Sequence, residues 1–154
     1  MTSSSTISSS ALRASRHDRA RCLDAMHEVE RLAAAPGPLR PDAWRDDLLD
    51  ALHELGASFH AQHVASTELG SLLSRVIEEA PHLIPGVNDL MARQRALDTR
   101  ISDFRSRLAD LSRPIDVEET RSELAEITRD MRELRAWETD LVYEAYSVDL
   151  GVGD

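Results

Sequence analysis

The sequence contains no lysine, a single cysteine and few aromatic residues. All 18 basic residues are arginine, which excludes mechanisms that need a lysine amine, from Schiff bases to the lysine of a phosphate-binding loop. The lone cysteine, Cys22, excludes an intramolecular disulfide and a cysteine-rich metal site, so we expect a cytoplasmic location. Aromatic residues make up only 4% of the chain, which nearly excludes an all-β fold.

The length and net charge of the chain further limit the number of domains and the classes of partner that it can have. Its 154 residues are enough for one domain with a hydrophobic core. The 28 acidic and 18 basic residues give a net charge of −10, and no basic stripe is present, so we expect neither nucleic acid nor a membrane as partner. Residues 1–10, MTSSSTISSS, lack the charge and apolar core of a signal peptide and are predicted to form a disordered tail.

The remaining residues have helical patterns, and residues 11–150 are predicted to form one domain followed by a short tail. A first helix is predicted over residues 11–35, where the sequence APGP ends it. A second begins at Pro41, a residue favoured in the first turn of a helix. It is predicted to end near Ser66-Thr67, whose hydroxyls can cap the next segment. Its inward face carries Trp44, Leu48, Leu52, Leu55 and Phe59.

The next segment, residues 68–80, is predicted to be a short amphipathic helix closed by Pro81, and Pro85-Gly86 is predicted to be a turn. A third long helix follows, because residues on one face recur at alternating spacings of three and four. These are Val87, Leu90, Gln94, Leu97, Ile101, Phe104, Leu108 and Leu111.

A fourth long helix repeats this register up to Gly151, where a glycine allows the helix to end. Asp116 is predicted to cap its start, with Glu119 in the capping-box position. Its inward residues are Val117, Thr120, Leu124, Ile127, Met131, Leu134, Glu138, Leu141, Ala145 and Val148. Four long helices with short connections predict an all-α, up-down-up-down four-helix bundle with a short extra helix between the second and third long ones.

Three polar residues interrupt these apolar faces: His63 on the second helix, Gln94 on the third and Glu138 on the fourth. A buried carboxylate or imidazole is costly unless it is paired or binds a cation. One interpretation is a hydrogen bond from Gln94 or His63 to Glu138 that fixes the register of the helices. The alternative is a cation held among them, because imidazole nitrogen and carboxylate oxygen suit iron or zinc.

The segment HVASTELGSLLSRVIEEAPHLIPGVNDLMARQRAL, residues 63–97, resembles the middle of hemerythrin-like domains of the HHE cation-binding type. The ending DLVYEAYSVDLGVGD, residues 140–154, is similar to the C-terminal segment of a bacterial branch of that family. The resemblance implies a four-helix bundle. It also implies that metal-binding members hold two irons through His and carboxylate ligands from all four helices, for binding dioxygen or for sensing iron, oxygen or nitric oxide.

Carried onto this chain, the family pattern implies an incomplete ligand set. The first-helix ligand falls on His17, which lies about 180° around the helix from Met26 and so faces outward if Met26 faces the core. The third-helix histidine corresponds to Gln94, and the last-helix histidine falls near Leu134 or Arg135, neither of which is a ligand. Glu138 is not required by the family pattern and is a candidate because it interrupts an apolar face. The candidate ligands, with His63 and Glu138 preferred, are His63, Glu138, Gln94, His17, Glu68, Asp98, Asp140 and Glu144.

Two or more imidazoles are therefore missing, and we expect no cofactor beyond at most a single weakly bound cation, with iron as the candidate. The leading hypothesis is a degenerate hemerythrin-like module with a regulatory or interaction role, whose partner is a protein or a second copy of the chain. The alternative is an iron-binding sensor or carrier with an atypical His/carboxylate site. We expect no enzyme, since the sequence has no nucleophile-base pairing and no glycine-rich phosphate loop.

Overall fold

The structure is a computed structural model that describes residues 9–35, 41–67 and 71–151. Its elements are α1 (Ser9–Ala34), α2 (Pro41–Thr67), α3 (Leu72–Glu79), a 3₁₀ turn (Pro81–Leu83), α4 (Ile84–Ala109) and α5 (Val117–Gly151). The described ranges contain helices and no strand, so the predicted all-α class is confirmed. The predicted tail lies outside them at residues 1–8, whereas Ser9 and Ser10 already belong to α1. At the other end Gly151 closes α5, and residues 152–154 are not described.

Each of the four long helices contacts two others: α1 and α4 both pack against α2 and α5. The contacts show that these neighbours run antiparallel, because residues late in one helix meet residues early in the next. Between α1 and α2, the indole Nε1 of Trp44 donates to the carbonyl of Leu32, while Arg21 pairs with Glu54 at the other end. Between α4 and α5, Arg100 and Arg107 reach back to acidic residues in the first half of α5.

The same antiparallel order holds between α2 and α4, where His53 contacts Arg105 and His63 contacts Gln94. It also holds between α1 and α5, where Arg132 pairs with Glu30. The guanidinium of Arg121 donates to the carbonyl of Ala35 at the end of α1. Side chains at these four interfaces therefore connect α1 to α2, α2 to α4, α4 to α5 and α5 back to α1.

The inward faces predicted for α2, α4 and α5 form the hydrophobic core. Leu48, Leu52 and Leu55 of α2 are fully buried, and each such leucine stabilises the fold by roughly 1.5–3 kcal/mol. The predicted residues of α4 are buried from Val87 to Leu108, and those of α5 from Thr120 to Ala145. The side chain of Val148 lies outside the described part of the chain.

The prediction that Leu111 lies in the core is wrong, because this residue is 80% exposed. The helix ends earlier, at Ala109, because the Asp110 side chain accepts hydrogen bonds from the backbone N–H and the hydroxyl of Ser112. These local bonds compete with a further helical turn. Leu111 consequently falls in the connection and points away from the core.

Of the two predicted helix caps, one is confirmed and the other is wrong. The Asp116 carboxylate accepts from the backbone N–H of Glu119 at 3.1 Å, as predicted for α5. The hydroxyls of Ser66 and Thr67 were expected to cap the short helix, but Ser71 does so, accepting from the N–H of Ser74. Ser66 instead donates its hydroxyl to the carbonyl of His63, so it belongs to the end of α2.

The turn predicted at Pro85-Gly86 is also wrong. A 3₁₀ turn at Pro81–Leu83 leads directly into α4, and Pro85 and Gly86 lie within its first turn. Proline is tolerated there because the first N–H groups of a helix have no intrahelical acceptor. Gly86 sits close to α5: a Cβ at this position would lie 3.2 Å from a methyl carbon of Leu141.

The short helix α3 packs against α2, α4 and α5. It buries Leu73 and Val76, two residues three apart on one face of the helix. Ser71 at its start also donates its hydroxyl to the carbonyl of Ser66. Within the residues that the structure describes, no helix is long and apolar enough to cross a membrane.

Candidate functional site

A buried polar pair lies at the contact between α2 and α4. The His63 Nδ1 donates to Oε1 of Gln94 at 3.0 Å, and both side chains are buried. His63 reaches this position because it follows the buried Phe59 by four residues, and Gln94 lies midway along the apolar face of α4. Each polar group thus has a partner, which removes much of the cost of burying it.

A second buried polar group lies at a different interface, between α1 and α5. The Glu138 side chain is 12% exposed, and its Oε1 lies 3.6 Å from Nη2 of Arg19, a half-exposed residue of α1. Burial raises the pKa of the Glu138 carboxyl, and the positive charges of Arg19 and Arg135 partly oppose this rise. At 3.6 Å, the Arg19 guanidinium forms an ion pair with the Glu138 carboxylate but lies beyond hydrogen-bond distance.

These contacts correct the predicted central pair. The expected hydrogen bond from His63 or Gln94 to Glu138 does not occur, because His63 and Gln94 bind each other while the carboxylate faces α1. Arg19 is not among the residues predicted from the sequence to form this site. Its position three residues before the buried Cys22 places it near the inward side of α1, and that spacing was the available signal.

Two further histidines of α2 contact α4 along the same interface. His60 donates from Nδ1 to Oδ2 of Asp98 at 2.8 Å, and His53 accepts at Nδ1 from Nη1 of Arg105 at 2.9 Å. Both lie toward the exposed side of α2. Asp98, a candidate ligand, is thus paired one helical turn from the His63–Gln94 contact.

The other candidate ligands are dispersed. His17, Asp140 and Glu144 are exposed, and the outward direction predicted for His17 is confirmed by its exposure. Glu68 lies outside the described residues. Among residues 9–35, 41–67 and 71–151, no group of three or more His, Cys, Asp or Glu side chains is arranged to hold a metal ion.

The single thiol lies in the core near Ser58 and Arg135. Cys22 is buried, as is usual for a lone cysteine on a helix, which behaves as a small hydrophobic residue. Desolvation raises the pKa of the Cys22 thiol, and the neighbouring Ser58 hydroxyl and the charge of Arg135 only partly offset this rise. The thiolate is the nucleophilic form of cysteine, so this environment makes Cys22 unreactive.

Comparison with family models, curated proteins and solved structures found no match to this chain.

Proposed function

We propose that the chain is a hemerythrin-like up-down-up-down four-helix bundle that has lost the di-iron site and acts as a non-catalytic regulatory or interaction module in the cytoplasm. The ring of antiparallel contacts among α1, α2, α4 and α5 supports the bundle. The short helix α3 between the second and third long helices matches the expected position of the extra helix. The family assignment rests on the resemblance of residues 63–97 and 140–154.

The observation that carries this proposal is that the two best candidate ligands, His63 and Glu138, are bound to different partners at different helix contacts. A metal centre in a helix bundle is built from side chains that project inward from facing helices. Here the His63 imidazole is hydrogen-bonded to Gln94 at the α2–α4 contact, while Glu138 pairs with Arg19 at the α1–α5 contact. For Glu138 to join a ligand shell with His63, its carboxylate would have to leave Arg19.

Electrostatics add a second argument. Arg19 carries a positive charge close to Glu138, and Arg135 is near enough to influence the same carboxyl. Both charges oppose the approach of a divalent cation to this carboxylate. The amide of Gln94, at the position where the family pattern has a histidine, supplies a neutral oxygen instead of an imidazole nitrogen.

A non-catalytic role follows from the same groups. The one thiol has a raised pKa and lies in the core, and the buried histidine uses Nδ1 to hold Gln94. Nucleophilic catalysis needs an activated nucleophile next to a base. The buried side chains of His63, Gln94 and Glu138 instead connect helix to helix, which is the role of a register device.

One feature favours the alternative, a protein that binds iron for sensing or transport. His60 and His63 each donate from Nδ1 to an oxygen acceptor, which is the orientation that ligating histidines adopt when Nε2 binds a metal. They lie three residues apart on α2, so both rings lie on neighbouring parts of one helix face. Two imidazoles of this kind are a minimal site for a single cation.

Metal analysis separates the two functions. The protein is expressed in iron-rich medium, and the metal content per chain and the visible absorption spectrum are measured for the wild type, His63→Gln and His17→Gln. The proposal predicts sub-stoichiometric metal and no ligand-to-metal absorption band in all three. His17→Gln is the matched control, because it removes an exposed histidine from α1.

Two results would contradict the proposal in different ways. About two irons per chain, with a ligand-to-metal absorption band, would show that the chain holds a di-iron centre. A single cation per chain that is lost in His63→Gln and retained in His17→Gln would establish the alternative.

A further inference from the structure

Arg45 is a buried arginine in the first turns of α2, at the end of the molecule where the connection between α4 and α5 passes. The residue is 6% exposed. Its Nη2 donates to the carbonyl of Arg113 in that connection at 3.0 Å. Its neighbour Trp44 is anchored by the hydrogen bond from the indole to Leu32, which holds the start of α2 against the end of α1.

The guanidinium of Arg45 has little else to bind. Its Nε is buried and has no hydrogen-bond partner in the described residues. The paired carboxylate, Asp42, lies with Oδ1 3.8 Å from Nη1, beyond hydrogen-bond distance, and its side chain is 95% exposed. A buried charge is costly unless it is paired and hydrogen-bonded, and no carboxylate among the described residues accepts a hydrogen bond from Arg45.

A cavity of about 130 Å³ adjoins this guanidinium. It has room for several heavy atoms, since a water molecule occupies about 30 Å³ of liquid. Two further guanidinium groups, Arg107 and Arg113, line it together with Arg45. The Arg113 side chain is 70% exposed, so this side of the cavity is open to solvent.

Three acidic residues, Asp116, Glu119 and Glu123, also line the cavity. Two of them are engaged: Asp116 accepts the N–H of Glu119 through Oδ1, and Glu123 accepts from Arg107 and Arg100. Their remaining oxygens are acceptors only. A ligand for this cavity must therefore present acceptors to the arginines and at least one hydroxyl donor to a carboxylate.

We propose that the cavity binds inorganic phosphate, an oxyanion that keeps a hydroxyl group near neutral pH. Its oxygens accept from the guanidinium groups of Arg45 and Arg113, because guanidinium groups match the geometry of phosphate. Its hydroxyl donates to the acidic side of the cavity. Sulfate has no hydroxyl near neutral pH. It therefore cannot donate a hydrogen bond to the carboxylates and should bind more weakly than phosphate.

The test is a titration of the full-length protein with inorganic phosphate at constant ionic strength, with chloride as the replaced anion. In ¹H–¹⁵N spectra, the Nε–H of Arg45 is identified by its loss in Arg45→Gln. We expect a saturable shift of this signal with phosphate and a much smaller response to sulfate. A simple phosphomonoester has a second pKa of about 6 and is largely a dianion without a hydroxyl near neutral pH, so we expect it to bind more weakly than inorganic phosphate.

Matched variants make the test specific. Arg113→Gln, an exposed position, should weaken phosphate binding several-fold without loss of folding, and Arg45→Gln should weaken it at least about tenfold. Arg31→Gln makes the same change of charge on α1, where Arg31 pairs with Glu28, and should leave binding unchanged.

The proposal is overturned if phosphate gives no saturable shift, if sulfate binds as well as phosphate, or if Arg113→Gln binds like Arg31→Gln. Should Arg45→Gln fail to fold, Arg113→Gln together with the sulfate comparison still decides the outcome.

Discussion

Glu138 of α5 is buried 3.6 Å from the guanidinium of Arg19 on α1, and this pair should make the stability of the protein depend on pH. Burial raises the pKa of the Glu138 carboxyl above its ordinary value. The folded protein therefore binds this proton more tightly than the unfolded chain. The contribution of Glu138 to the free energy of unfolding is then most favourable at low pH, and it falls as pH rises through the raised pKa.

Urea unfolding of the wild type and of Glu138→Gln at a series of pH values between about 4 and 8 measures this dependence. The amide does not ionise, so the variant should gain stability relative to the wild type as pH rises. Asp140→Asn, an exposed carboxylate on the same helix, is the matched control and should follow the wild type. Parallel curves for wild type and Glu138→Gln would contradict the raised pKa.

The sequence predicted the helices far better than the partners of its buried polar residues. Periodicity identified which faces of α2, α4 and α5 are buried, because a 3.6-residue repeat places residues three and four apart on one side. It could not identify the partner of Glu138, because several polar residues on two neighbouring helices satisfied the same pattern. The choice of Arg19 depends on how α1 is rotated against α5, which local spacing does not determine.

Local hydrogen bonds explain the incorrect helix ends. Asp110 and Ser112 form a side-chain bond that ends α4 before Leu111, whereas the apolar pattern alone extended the helix by two residues. At the start of α4, proline and glycine suggested a turn, although proline is also a favoured first-turn residue. Either interpretation fits the sequence, and the contact of Gly86 with Leu141 appears only in three dimensions.

The hydrogen bond between His63 and Gln94 predicts strongly non-additive mutations. Gln94→Leu leaves the buried His63 Nδ1 without an acceptor and should lower the free energy of unfolding by about 1–3 kcal/mol. The double variant His63→Leu/Gln94→Leu removes both polar groups and should recover most of that loss. A double-mutant cycle by urea unfolding measures the coupling.

The exposed neighbouring pair supplies the control for this cycle. His60 and Asp98 are 2.8 Å apart, but the His60 side chain is 61% exposed, so Asp98→Asn should cost no more than about 1 kcal/mol. A cost for Gln94→Leu as small as that for Asp98→Asn would show that the buried pair does not hold α2 against α4.

Arg100 of α4 predicts a salt-dependent contribution to stability. Its guanidinium lies within 3.4 Å of Glu123, Glu126 and Asp130 on α5. Arg100→Gln removes the shared cation and leaves three carboxylates that repel one another. We expect a loss of about 1 kcal/mol at low salt, more than for an isolated surface pair.

Thermal or urea unfolding at low and high NaCl concentration tests this, because screening weakens both the attraction and the repulsion. The loss caused by Arg100→Gln should shrink at high salt. Arg31→Gln removes a single pair within α1 and should cost less at either concentration. A loss of equal size at both salt concentrations would assign the role of Arg100 to its apolar stem instead of its charge.

Two glycines in helices predict opposite responses to the same substitution. Gly56 lies in the interior of α2, and a Cβ there would lie 3.5 Å from Cγ2 of Ile101, an ordinary contact. Alanine removes the entropic cost of an interior helical glycine, so Gly56→Ala should raise the free energy of unfolding by about 0.5–1 kcal/mol. At Gly86 the added Cβ would lie 3.2 Å from Leu141, and Leu141 is buried, so it has little room to move. Gly86→Ala should therefore be neutral or destabilising, and equal gains for both variants in urea unfolding would show that α4 and α5 are not held as closely as this contact requires.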